Sequence, residues 1–229
     1  MIQGNYEQVE WLLQRALLIR ERQPESPDVA VVLRSLANLY IIQGKYELAE
    51  PLLQRSLQSL ERLLGPENAE LAAAFNNLAA LYVYQGKYMQ AEPLFLSAMA
   101  IWEKNFGPHS PYVAYACSNL GELYLETGNY EQAEVVFQQA KQVWEQLKEP
   151  QHIGMAYALN GLGNLYRKLG KYEQAELLLQ EAIQLFEQHL ETVHTVTDLE
   201  EDLEALETEG ARSFGDHPAG SSHPWCICT

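Results

Sequence analysis

The chain predicts an all-α fold, a right-handed α-solenoid of antiparallel helix pairs, and three observations predict it. One pattern is written five times: GNYEQVEWLLQRA from Gly4, GKYELAEPLLQRS from Gly44, GKYMQAEPLFLSA from Gly86, GNYEQAEVVFQQA from Gly128 and GKYEQAELLLQEA from Gly170. The glycines at 44, 86, 128 and 170 stand 42 residues apart, after a first interval of 40; a fixed period in this range is the mark of a repeat array. Within each period apolar residues fall at helical spacing twice. One hairpin cannot bury so many large residues alone, so neighbours must stack.

The elements follow in order. Tyr6–Arg22 reads as an orphan second helix, with Val9, Leu12, Leu13, Ala16 and Leu17 at core positions and Trp11 where Pro51 stands one repeat later. Its apolar face lacks a first helix to cover it, which makes self-association through this end one expectation. Four complete pairs are expected at 29–64, 71–106, 113–148 and 155–190. Each first helix, such as VAVVLRSLANLYIIQG from Val29 or LAAAFNNLAALYVYQG from Leu71, ends at a glycine suited to a left-handed backbone. The second helix opens at Tyr46, Tyr88, Tyr130 or Tyr172. Prolines in QPESPD, LGPENAE, FGPHSPY and KEPQH stop the second helices, while Pro51 and Pro93 are expected early enough in theirs to cost little. The domain reading is therefore 1–26 for the truncated repeat, 27–190 for the four pairs and 191–229 for a tail.

Packing register supports the pairs. Ala37, Ala79, Gly121 and Gly163 align in the first helices, and Ala49, Ala91, Ala133 and Ala175 in the second. Small residues there let the helices approach closely. Large partners recur in register at Leu36, Leu78, Leu120 and Leu162, and at Leu53, Phe95, Phe137 and Leu179.

Composition bounds the function. The net charge is −16, a surface that nucleic-acid phosphates would repel. No apolar run has membrane-spanning length and the start lacks a signal-peptide pattern, so a cytoplasmic protein without membrane contact is expected. Residues 191–229 hold nine acidic residues against Arg212 alone. Within them DLEEDLEALE places Leu199, Leu203 and Leu206 on one face, a segment that could cap the array or compete for its binding face. Residues after Gly210 have a disordered composition.

Catalytic constellations are missing from the sequence, and no enzyme is predicted. There is no zincin motif, nucleophile elbow or phosphate loop, and Gly161-Leu-Gly163 lies inside a helix. Cys117 shares the register of Leu33, Phe75 and Leu159 and reads as core. Glu50, Glu92, Glu134 and Glu176 repeat so regularly that a solvated face is expected of them. His217, His223, Cys226 and Cys228 fit no common zinc spacing, so neither metal nor cofactor is predicted.

The pattern Leu-small-x-x-Tyr, then Gly-x-Tyr-x-x-Ala, with a large apolar residue four beyond that Ala, resembles the tetratricopeptide repeat. Its 42-residue spacing, with LGPENAELAAAFNNLAALYVYQGKYMQAEPL, is similar to the variant in kinesin light chains and their bacterial relatives. The resemblance spans about Gly4–Leu190 and implies that the first helices line a binding groove. In that register Arg34, Asn38, Asn76, Asn77, Tyr84, Tyr115, Asn119, Glu122, Asn160, Asn164, Arg167 and Lys168 are candidates for binding an extended peptide. An amide both donates and accepts, which suits a peptide backbone, and the resemblance implies this role for Asn77 and Asn119 in particular. The opposing expectation is that the asparagines only join neighbouring helices. Arg34, Arg167 and Lys168 are suited to acidic groups. The function expected is a non-catalytic protein-interaction scaffold; the alternative is a regulatory or sensor fragment of a larger signalling protein.

Overall fold

The computed structural model describes residues 2–20, 26–147 and 153–188, with side chains from Tyr6 onward. The expectations for the acidic segment, for His217 and His223 and for Cys226 and Cys228 lie outside the described residues. Among those described, nine helices and no strand occur: α1 Ile2–Arg20, α2 Pro27–Ile42, α3 Tyr46–Leu64, α4 Ala69–Tyr84, α5 Tyr88–Phe106, α6 Pro111–Glu126, α7 Tyr130–Gln146, α8 Ile153–Lys168 and α9 Tyr172–Gln188. No described helix is long and apolar enough to cross a membrane.

Local chemistry sets the boundaries. All four first helices start about two residues earlier than periodicity places them, and at three of them a cap stands ahead of the apolar pattern. Ser26 accepts from the Asp28 N–H, Asn68 from that of Glu70 and Ser110 from that of Val113, each satisfying an amide the helix itself cannot pair. Pro27 and Pro111 occupy the first helical position, where no amide is needed. At the other end Gly44 sits at φ +70°. The Lys45 N–H bonds back to the Tyr40 carbonyl at 2.8 Å and that of Gly44 to Ile41 at 2.9 Å. This paired closure ends a helix on a left-handed residue and turns the chain directly into α3. Lys87, Asn129 and Lys171 bond to Tyr82, Tyr124 and Tyr166 in the same way.

Three local expectations need correcting. Pro51 and Pro93 are each the sixth residue of their helix, beyond the first turn, so each removes one helical hydrogen bond; both face solvent, where water can satisfy the freed carbonyl. The second helices α3 and α5 end on glycine as well as on the proline that follows. Gly65 and Gly107 take φ of +80° and +84°, and their N–H groups bond to the Glu61 and Glu103 carbonyls. Gly4, the expected counterpart of the turn glycines, lies within α1.

The helices gather into two compact units, α1–α5 and α6–α9. In the first, α2 pairs with α3 and α4 with α5, while α3 packs on α4 and α1 on α2. In the second, α6 pairs with α7 and α8 with α9, while α7 packs on α8 and α6 beside it. This is the predicted all-α solenoid architecture. Leu36, Ala37, Ala49, Leu53, Leu78 and Leu81 form one core cluster of the first unit, with Tyr6 and Leu13 of α1 packed against it. In the second unit the Phe137 ring fills the space left by two glycines, Gly121 of α6 and Gly161 of α8. Tyr115 meets Trp144 edge-on at 5.2 Å, and Tyr157 meets Phe186 at 5.3 Å. Cys117 is fully buried, as its register predicts.

Candidate functional site

The first helices of each unit carry a polar strip embedded in apolar surroundings. In the first unit α2 and α4 lie side by side. The Asn77 side-chain amide donates to Asn38 Oδ1 at 3.3 Å, and Asn76 donates to Asn77 Oδ1 at 3.4 Å. Asn38, Asn76 and Asn77 are all buried. Asn38 Nδ2 has no partner among the described residues. A turn away, the Arg34 guanidinium donates to Glu70 Oε2 at 3.0 Å. Arg34 was expected to be open to an acidic ligand; Glu70, a residue the sequence reading passed over, holds it. Tyr84 stacks on Tyr46 at 5.6 Å with the rings 15° apart, so its ring is shared with the base of the preceding second helix.

In the second unit Asn119 and Glu122 of α6 and Asn160 and Asn164 of α8 are buried as well. Asn164 donates to Asn160 Oδ1 at 3.3 Å, and Asn164 Oδ1 has no partner among the described residues. Tyr115 is half-buried against Trp144, Arg167 is half-buried and Lys168 is exposed. The structure thus joins Asn38, Asn76 and Asn77 in one unit and Asn160 and Asn164 in the other, while Tyr84 packs between successive pairs and Tyr115 within one.

A second polar system, missed as such, runs between successive pairs. The regular glutamates do not form a uniformly solvated face. Tyr40 donates its hydroxyl to Glu10 at 3.0 Å and Tyr166 donates to Glu134 at 2.7 Å. Gln85 and Lys87 both donate to Glu50 Oε2 at 3.2 Å. Glu50 and Glu134 are half-buried, while Glu176, on the last described helix, is exposed. After three of the four turn glycines a lysine completes the tie: Lys45, Lys87 and Lys171 sit over the rings of Tyr40, Tyr82 and Tyr166 at 5.6, 5.2 and 4.9 Å. Burial pushes the Glu50 carboxyl upward, but the hydrogen bonds from Gln85 and Lys87 and the lysine charge outweigh it and hold Glu50 below its ordinary value. Burial, and then the bond to Glu134, pushes the Tyr166 hydroxyl up; burial does the same to Tyr40 beside Glu10. The signal was present in the sequence, because glutamate, tyrosine and lysine share one 42-residue period.

No group of three or more His, Cys, Asp or Glu among the described residues could hold a metal ion. Amide pairs, a guanidinium and aromatic rims supply hydrogen bonding and contact area, the materials of recognition.

A model of the tetratricopeptide repeat family matches residues 1–62, 28–104, 70–140 and 115–188. The chain belongs to that family. Tetratricopeptide repeats are in general protein-interaction modules, and this protein carries them over most of its length. No curated protein matches it in sequence. Among solved structures it is similar to BtubC (BKLC) from P. vanneervenii, with 18% identity and a TM-score of 0.68 over 96% of this chain and 97% of that one. A putative kinesin light chain with nearly identical repeats from Podosopora anserina aligns at 20% identity and a TM-score of 0.62, over 83% of this chain and 91% of that one. A signal-transduction ATPase with a tetratricopeptide repeat sensor, from Pyrococcus horikoshii, aligns at 20% identity and 0.66 over 86% of this chain and 29% of that one. These likenesses show the same fold of stacked helical repeats.

Proposed function

We propose that this tetratricopeptide protein is a non-catalytic scaffold that binds an extended peptide on the first-helix faces, through an amide strip in each unit. The observation that carries the reading is the state of those strips. Buried amides in apolar surroundings are costly when any donor or acceptor goes unmatched, by about 1–3 kcal/mol each. Asn38 Nδ2 and Asn164 Oδ1 lack a partner among the described residues, one a donor and one an acceptor; both are covered, so each meets a ligand once its side chain turns toward the first-helix face. A peptide backbone offers the complement of both at every residue, without requiring a particular side chain. Lys168, exposed on α8, adds a preference for an acidic group beside the second strip, whereas Arg34 is already neutralised by Glu70.

The test is selection of a peptide library on the full chain, followed by titration of the selected peptides into Asn38→Ala and Asn164→Ala variants. Each substitution is expected to weaken binding about tenfold, the worth of one buried hydrogen bond. Affinities unchanged in both variants would refute the reading. A second reading, a sensor module serving an effector domain, draws on the fold likeness to the sensor repeats of the signal-transduction ATPase. It predicts the same strips with a ligand that alters another domain's activity.

A further inference from the structure

Helix α1 departs from the chain's own repeat. Tyr6 and Leu13 face the first core, but Val9, Leu12 and Ile19 are 43%, 51% and 53% exposed. With Ala16 between them, apolar residues stand at 9, 12, 16 and 19, the 3-4-3 spacing of a two-helix seam. Elsewhere the repeat covers this face. Val9 and Ala16 correspond to Ala49 and Ser56 in α3 and to Ala133 and Ala140 in α7, all fully buried, and the Ser56 hydroxyl donates to the Ala30 carbonyl of the covering helix at 2.9 Å. Charge narrows the occupant. The chain carries −16, so two copies repel across most of their surfaces. Helix α1 is neutral, with Glu7 and Glu10 balanced by Arg15 and Arg20.

We propose that this face binds a second copy of the chain, α1 against α1 and antiparallel. About a two-fold axis level with residue 14, Val9 meets Ile19 of the second copy and Leu12 meets its Ala16. Each layer then joins one residue of the first seam type to one of the second, the pairing an antiparallel seam requires. Leu12 against Ala16 sets a large side chain on a small one, the combination that lets helices approach closely within each repeat. The antiparallel sense lays the positive end of each helix dipole beside the negative end of the other and keeps Glu7 apart from its copy, whereas a parallel pair would set Glu7 against Glu7. A seam this short buries on the order of 1,000 Å² in all, the small end of specific interfaces, so the association belongs in the micromolar range.

Sedimentation equilibrium of the full chain from about 5 µM to about 500 µM tests this. A monomer–dimer equilibrium is expected, with Val9→Lys and Ile19→Glu each weakening it at least tenfold at unchanged helical circular dichroism, since both positions are exposed. Mixing the two variants should restore a heterodimer. In the antiparallel register one layer then pairs lysine with glutamate while the other keeps its native valine and isoleucine. A chain monomeric at the highest concentration overturns the proposal, as does a dimer indifferent to both substitutions. Failure of the mixture to recover overturns the antiparallel register. Uptake of a peptide of residues 27–43 by a monomeric chain also overturns it, making α1 a receptor for a first helix from another protein.

Discussion

Replacing Gly121 by alanine sets two effects of known size against each other. A Cβ built at Gly121 would lie 2.5 Å from Cε1 of Phe137 and 2.6 Å from Cδ1 and Cζ, about 1 Å inside ordinary contact. The ring cannot simply withdraw, because Gly161 of α8 approaches the same ring atoms and Phe137 is fully buried. Overpacking of this kind costs about 1–3 kcal/mol, while alanine gains about 1 kcal/mol over glycine in helix propensity. The expected balance is a loss of about 1 kcal/mol, or a fall of about 2–4 °C in Tm for a chain of this size, measured by circular dichroism on heating. The first unit supplies two controls: Ala79 stands with Phe95 in one pair, and in the other the corresponding residues are Ala37 and Leu53, all fully buried. Gly121→Ala combined with Phe137→Leu recreates that pair. The double variant should therefore be no less stable than Phe137→Leu alone, which by itself costs about 1–2 kcal/mol. A rise in Tm for Gly121→Ala, or strict additivity in the double variant, would show that the ring moves freely and refute the argument.

Three further outcomes are expected. Gly86→Ala should destabilise by about 1–2 kcal/mol through backbone strain alone, because φ is +71° and nothing lies within 4 Å of the added carbon; Gly86→Asn should lose less, as urea denaturation of the pair would show. Tyr166→Phe removes the 2.7 Å bond to Glu134 and should cost about 1 kcal/mol in the same assay, whereas a neutral result would mean that water replaces it fully. The pH dependence has two flanks. Glu50 is held low when folded, so its contribution is present above the ordinary glutamate value and is lost as pH falls through the folded one; Glu50→Gln should flatten the acid limb of Tm against pH. Tyr166 is held high, so its contribution is present below the ordinary tyrosine value and is lost as pH rises through the folded one, and Tyr166→Phe should flatten the alkaline limb.

Much of the fold was legible because its determinants are local or periodic. A glycine followed by Tyr-x-x-Ala marks each hairpin wherever it occurs, since the left-handed turn needs only that residue and its two back-bonds. Ala37 and Ala49, or Ala79 and Ala91, announce close helix crossings by their size alone. The candidate site was legible only as a register. That register put Asn38 and Asn77 on one face, but could not show that they bond to each other, or that Glu70 holds Arg34, because each partner comes from a different repeat 36–39 residues away. The proline at position 51 misled for a different reason: α3 starts at Tyr46 as expected, but the sixth helical position already lies beyond the first turn, where a missing amide leaves a carbonyl unpaired.

The amino-acid sequence alone therefore determined the repeat, its period, the hairpin turns and the small-against-large packing, all of which follow from residue size and backbone preference within one unit of the pattern. The tertiary structure decided which polar side chains are covered, which carboxylates tie one pair to the next, and that the seam at Val9, Leu12 and Ile19 stands open. Those are properties of neighbours. A glutamate has the same local pattern whether the next helix brings a tyrosine to it or leaves it in water, and only the stacking of helices tells Glu50 and Glu134 from Glu176.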